Sequence, residues 1–222
     1  MAHRGASRAE VENTVAAFRR AGEMGADAVE LDVRRARDGV LVVHHNPHLT
    51  DGRVISELAR AELPSSVPML GEALDACQGM WVNVEIKNDP DEPDFDADDV
   101  IADETIAHLL ARHEDHRWLI SSFRIETVDR CHQLAPHIRT AWLCSGVPEG
   151  AAAAMAAKGH SALHPWVGLL TRDVVDGCHA VGVQVNTWTC DDPARMRELV
   201  EWGIDGICTN LPDVALGVLA ER

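Results

Sequence analysis

Short apolar runs alternate with longer stretches of helical periodicity from one end of this chain to the other, and that alternation limits the fold more than any other feature. The runs fall at 28–33, 41–45, 81–87, 118–123, 139–144, 161–164, 183–189 and 204–209. Helical patterns fall near 13–22, 69–78, 97–113, 124–134, 150–158, 171–181, 192–202 and 212–220. Strand–helix repetition of this kind implies parallel βαβ units with helices covering a sheet. One connection is too short for that rule. Nine residues separate Asp32 from Val42, whereas a parallel crossover needs about a dozen or more. Asp38-Gly39 is a strong hairpin signal, so 28–33 and 41–45 are expected to pair antiparallel. A turn centred on that dipeptide sets residues whose numbers sum to 77 opposite one another and brings Asp32 beside His45.

With the hairpin's first arm counted as a barrel strand, seven strands follow the N-terminus, and residues 1–4 must act as the eighth. The expected fold is therefore an α/β, (β/α)8 TIM barrel. It has a shortened first strand and a β-hairpin insertion after the second, and residues 1–222 form one domain. A length of 222 residues suits one such barrel.

In a barrel of this type, chemistry is carried where the strands end at their C-terminal rim. Glu30 and Asp32 lie two apart on one strand, so both side chains point the same way. Glu85 and Lys87 repeat the device at the end of another. Three carboxylates converging on one rim suit a hard divalent cation, Mg²⁺ or Ca²⁺. The competing explanation is ordinary ion pairing with Arg34 or Lys87. His3 and His45 are the candidate acid and base, because imidazole titrates near neutral pH. Arg4 can grip a phosphate oxygen in a bidentate manner. His44 is expected on the opposite face from His45. His48, His108, His113, His116, His132, His137 and His179 are read as structural or solvated.

Charge narrows the partners. A formal net charge of −16 repels nucleic acid and anionic lipid, so a phosphate site must carry local positive charge or a metal. No apolar run reaches the ~18 residues of a membrane span, and no secretory leader follows Met1. A cytoplasmic protein acting on a small molecule is expected, and a homo-oligomer is left open. Cys77, Cys131, Cys144, Cys178, Cys190 and Cys208 form no C-x-x-C pair and are read as reduced, buried thiols.

Several motifs together resemble the glycerophosphodiester phosphodiesterase family. They are His3-Arg4-Gly5-Ala6, Glu12-Asn13-Thr14, Gly25 to Val33, Asp38-Gly39 with Val42-Val43-x-His45, and Pro68-x-Leu70-x-Glu72-x-Leu74. Val84-Glu85-Ile86-Lys87, Ser121-Ser122-Phe123, Trp188-Thr189 and Gly203 to Asn210 followed by Pro212 complete the series. The resemblance covers nearly the whole chain in order. It implies hydrolysis of glycerophosphodiesters, such as glycerophosphocholine or glycerophosphoethanolamine, to glycerol 3-phosphate and an alcohol. It further implies one divalent cation on Glu30, Asp32 and Glu85, with His3 and His45 as the acid/base pair. Arg4 and Lys87 would contact the phosphate, Trp188 and Phe123 would line the substrate pocket, and Glu12 and Asn13 would support the first loop.

The chain departs from the family pattern at three places. Asn46 follows His45 where the family usually has aspartate, Val11 replaces a proline, and almost no apolar strand precedes His3. Two other readings stand beside the first. One is a lysophospholipase D-type phosphodiesterase, which needs an apolar groove at the barrel mouth; the acidic segment 88–99 offers only Phe95 as an aromatic. The other is a non-catalytic barrel that binds a phosphate ligand.

Overall fold

The computed structural model describes Met1–Glu221. Parallel strands build its barrel: β1 (Ala28–Arg35), β3 (Trp81–Ile86), β4 (Trp118–Ser122), β5 (Arg139–Cys144), β6 (Ala162–Pro165), β7 (Gln184–Thr187) and β8 (Gly206–Ile207), paired in that order. Each expected strand and helix is present, with ends moved by a few residues. The helices α1 (Val15–Glu23), α2 (Leu70–Ala76), α3 (Val100–Leu110), α4 (Ile125–Leu134), α5 (Ala151–Lys158), α6 (Arg172–His179), α7 (Pro193–Glu201) and α8 (Pro212–Leu219) alternate with them.

A single residue closes the ring. Ala2 makes parallel bridges to both Val29 and Thr209. Its N–H donates to the Ala28 carbonyl at 2.7 Å, its carbonyl accepts from Glu30 at 2.9 Å, and the His3 N–H donates to the Thr209 carbonyl at 2.9 Å. Residues 1–3 thus do the work of the shortened first strand and set His3 and Arg4 at the rim.

Val29, Leu31 and Val33 of β1 point outward into a helix-covered core with Phe18, Leu74, Val84 and Ile106. The alternate residues Glu30 and Asp32 therefore face the interior. Across β5–β8, Leu163, Val175, Val185 and Leu199 form a second core. All six cysteines are free and buried. Among the described residues, no helix is long and apolar enough to cross a membrane.

The short β2 (Leu41–Val43) runs antiparallel to β1, but not in the expected register. Val33 faces Val43 and Arg35 faces Leu41, so facing numbers sum to 76. The Ala36 N–H donates to the Val40 carbonyl at 2.9 Å, and Gly39 has φ +83°. The turn is thus a three-residue loop, Arg37-Asp38-Gly39, with the left-handed glycine third, rather than a two-residue turn. Asp32 consequently pairs through its carbonyl with the N–H of His44 at 3.0 Å, not with His45. His45 reaches the barrel mouth only because the chain leaves the strand after Val43.

Gly5 is the fixed point of the first loop. It has φ +81°, and a Cβ there would lie 2.6 Å from the backbone of Ala17. Gly5→Ala is expected to lose at least about 1–3 kcal/mol from backbone strain alone, read as a lower urea midpoint. An unchanged midpoint would mean that the loop does not need this close approach.

Candidate active site

Glu30, Asp32 and Glu85 stand together at the centre of the rim. The register of β1 on β3 puts Asp32 level with Glu85, and one oxygen from each of the three carboxylates lies within 4.8 Å of the others. All three are buried, at 4%, 1% and 8% exposure. Burying adjacent like charges is unfavourable. Burial, Asp32 and Glu85 push the Glu30 carboxyl well above its ordinary pKa. Burial also raises Glu85, although Lys87 opposes it. Burial alone would raise Asp32 too, but Lys87, His45, Arg4 and the amide of Asn13 together hold it below the usual value.

The surrounding cations answer this charge. Lys87 Nζ lies 2.8 Å from Glu85 Oε1 and 3.8 Å from Asp32 Oδ1. Arg4 Nε lies 3.5 Å from Asp32 Oδ2, and its Nη1 lies 2.9 Å from Glu12 Oε1. The Arg4 backbone N–H donates to Glu30 Oε2 at 2.8 Å, with Arg4 at φ +55°. Asn13 donates from Nδ2 to Asp32 Oδ2 at 2.7 Å. Its backbone N–H also donates to the Arg4 carbonyl at 3.0 Å, so Asn13 and Glu12 both brace the first loop, and Asn13 contacts a rim acid besides. Ion pairing with Lys87 is real, as one reading of the sequence held. Pairing with Arg34 is not, because Arg34, two residues beyond Asp32 on the same face of β1, bonds Glu92 and Asp94 at 2.9 and 2.6 Å instead.

One oxygen is left over. Glu30 Oε1 is buried and has no hydrogen-bond partner, which is costly for a carboxylate. An all-oxygen donor set with an unsatisfied carboxylate oxygen fits a hard divalent cation such as Mg²⁺ or Ca²⁺.

His3, Arg4, Glu30, His45, Glu85, Lys87, Phe123 and Trp188 line one pocket of about 100 Å³. His44 does not line it. Asp32 lies behind, and its charge acts on both His3 and His45. Burial and the nearby Arg4 lower the pKa of His3. Burial lowers that of His45 as well, and Arg4 and Lys87 add to the effect against the pull of Asp32. In both rings burial thus favours the neutral form. His45 Nδ1 lies 2.8 Å from Asn46 Oδ1, and Arg34 donates to the His45 carbonyl from Nε at 3.0 Å. Phe123 and Trp188 meet edge to face, with centroids 5.3 Å apart.

The acidic segment 88–99 has a structural use in this arrangement. Its Glu92 and Asp94 clamp the fully buried Arg34, and Arg34 in turn fixes the backbone of His45. Arg34→Met should strand two carboxylates and cost on the order of 3 kcal/mol, as breaking a buried ion pair does. Urea denaturation would read the loss, and an unchanged midpoint would refute the clamp.

The sequence reading missed several residues here. His164 and Asn186 line the pocket floor, with Asn186 Nδ2 2.9 Å from His164 Nε2. Complete burial drops the pKa of His164 to about 3. Period-two spacing before Trp188 would have placed Asn186 inside. Asp191 and Asn210 stand behind His3, and nothing in local spacing links them to it.

Comparison with known proteins agrees with this geometry. A sequence model of the glycerophosphoryl diester phosphodiesterase family matches residues 3–214. The chain belongs to that family. Among family members, a glycerophosphodiester phosphodiesterase from Caldanaerobacter subterraneus subsp. tengcongensis is 30% identical over 240 residues, covering 99% of this chain and 96% of its own. A family structure from Silicibacter pomeroyi superposes with a TM-score of 0.87 at 28% identity, covering 99% of this chain and 92% of that one. A phosphodiesterase from Oleispira antarctica, solved in complex with the product sn-glycerol-3-phosphate, gives 0.87 at 25% identity, with 99% and 95% covered. The family's barrel fold is therefore shared along the whole chain.

Proposed function

We propose that this chain, as one catalytic domain, hydrolyses glycerophosphodiesters to glycerol 3-phosphate and an alcohol, with His3 and His45 transferring the protons. The observation that carries this reading is the meeting of two imidazoles, two cations and a buried acidic triad at one pocket, with Asp32 just behind its lining. The product named for the Oleispira antarctica relative supports the substrate class.

In this reading Glu30, Asp32 and Glu85 hold one divalent cation, Mg²⁺ or Ca²⁺. When bound, it supplies positive charge facing the phosphoryl oxygens as their charge grows. Arg4 and Lys87 contact the same oxygens, and each is already oriented by a carboxylate. One imidazole, neutral, takes the proton from the attacking water or substrate hydroxyl, while the other, protonated beforehand, gives its proton to the departing alcohol oxygen and is left neutral. Phe123 and Trp188 line the substrate pocket.

The test is release of glycerol 3-phosphate from glycerophosphocholine with Mg²⁺, with Ca²⁺ and with EDTA. Turnover with a cation and none with EDTA is expected. Absence of turnover with either cation would overturn the reading, and turnover indifferent to EDTA would overturn the metal assignment.

One observation favours the lysophospholipase D-type reading as a second. The apolar surface missing from segment 88–99 comes from other loops, where Phe123, Trp166 and Leu169 are 37%, 42% and 59% exposed. Faster turnover of lysophosphatidylcholine than of glycerophosphocholine would select it.

A further inference from the structure

A chain of hydrogen bonds runs inward from a carboxylate to the ring of His3. Asn210 Nδ2 donates to Asp191 Oδ2 at 2.7 Å. Asp191 Oδ1 accepts from the Asn210 backbone N–H at 2.8 Å and from the Thr209 hydroxyl at 2.8 Å. At its other end, Asn210 Oδ1 lies 2.7 Å from His3 Nδ1 and accepts from the Ser7 hydroxyl at 2.9 Å. Burial works to raise the pKa of Asp191, but the bonds from Asn210 and Thr209 outweigh it and keep the group below the ordinary value. Asp191 is thus an ionised carboxylate, which can only accept.

The direction of every bond follows from that one charge. The carboxylate demands a donor, so the amide of Asn210 must turn its NH₂ toward Asp191 and its oxygen toward His3. The amide oxygen then demands a donor from the ring, so the His3 proton sits on Nδ1. A neutral imidazole with its proton on Nδ1 presents the lone pair of Nε2. That nitrogen has no hydrogen-bond partner among the described residues, and His3 lines the pocket.

We propose that Asp191 and Asn210 are positioning residues that lock His3 in its Nδ1–H tautomer, so that Nε2 meets the substrate as a proton acceptor. His45 has no such lock. Its Nδ1 lies against Asn46 Oδ1, and among the described residues no side chain holds the amide of Asn46 in one orientation. The two histidines are therefore not equivalent, and the ring poised to accept the first proton is His3. The inference rests on His3 acting in proton transfer, but the tautomer itself can be read without substrate.

Asp191→Asn is a near-isosteric test. It sets an amide NH₂ against the Asn210 NH₂, which should turn Asn210 over and drive the His3 proton to Nε2. In the cation-loaded enzyme with ¹⁵N-labelled histidine, the His3 ring nitrogens should show the Nδ1–H pattern in wild type and the Nε2–H pattern in the variant. Turnover of glycerophosphocholine should fall in kcat by about 10–100-fold, the range for residues that orient a site histidine, with KM little changed.

The exchange Asp191→Asn with Asn210→Asp is the second arm. It puts a carboxylate directly on Nδ1, which again demands a proton there, and it should restore the Nδ1–H pattern and most of the rate. A merely structural role would move neither the ring signals nor kcat in this paired way. An Nε2–H pattern in wild type, an unaltered pattern in Asp191→Asn, or a double variant as slow as the single one would each overturn the proposal. Loss of turnover in wild type would instead count against the proposed function and leave the ring signals to decide the tautomer.

Discussion

His45→Ala is expected to lower kcat for glycerophosphocholine by about 10²–10⁴-fold, the usual worth of a positioned acid or base, and to leave KM and the unfolding midpoint nearly unchanged. The expectation rests on how His45 is held. Its ring lines the pocket, but its backbone is anchored independently of the ring, by the guanidinium of Arg34 on its carbonyl. Removing the imidazole therefore leaves the clamp of Arg34, Glu92 and Asp94 in place. The ring itself is lowered in pKa by burial and by Arg4 and Lys87. With His3 taking the first proton, His45 is the donor and its active form is the protonated one, so the alkaline limb of the rate profile should lie below about 6.5, the value for free imidazole. A loss smaller than tenfold would remove His45 from the proton-transfer pair. A collapse of stability would mean that the ring, and not Arg34, fixes the loop.

The barrel was legible in the sequence because its signals are local. Runs such as 81–87 and 139–144 carry their own strand pattern, and Gly25, Gly182 and Gly203 all have the left-handed φ expected where a helix ends before a strand. The closing role of residues 1–3 followed from counting alone. The rim acids were legible for the same reason, since side chains two apart on a strand share a face.

What failed was anything set by one residue of register or by long-range pairing. Placing the turn at Asp38-Gly39 rather than over Arg37 to Gly39 shifted the hairpin by one, and in a strand such a shift exchanges the faces. It paired Asp32 with His45 on paper, although His44 takes that backbone position. Asp191 and Asn210 could not be found by spacing, because they act on a histidine roughly the whole chain away in sequence. Arg34 was misjudged since its true partners, Glu92 and Asp94, lie in a loop that shows only acidity.

The carboxylate triad carries the largest opposed effects on stability and activity. Glu30 sits against Asp32 and Glu85 in a buried site, with one oxygen unpartnered. Without a cation that arrangement works against folding. Glu30→Gln removes one of the three charges and keeps the shape, so in EDTA it should be more stable than wild type, by about 1–2 kcal/mol if part of the lost desolvation is recovered. At this chain length that is a rise in Tm of roughly 2–8 °C. The pH dependence has a definite sign. Glu30 and Glu85 have folded pKa values raised above their unfolded ones. Their contribution is therefore fully present at low pH and lost as pH climbs through the raised values. Asp32, lowered in the folded protein, runs the other way. Two groups against one make cation-free wild type lose stability toward neutral pH, and Glu30→Gln should lose less.

A bound cation reverses the order. At a concentration about 100 times its Kd it should add roughly 2.7 kcal/mol to the wild type and much less to the variant. Catalysis should follow the cation: if the metal contributes several kcal/mol to the transition state, kcat/KM should drop by about 10³-fold. A variant that is more stable in EDTA, deaf to Mg²⁺ and inactive would show that the buried charges are retained for the cation. A variant less stable in EDTA and still stabilised by Mg²⁺ would show that Glu30 serves the fold through its bond from the Arg4 N–H, and the metal would then have to sit elsewhere.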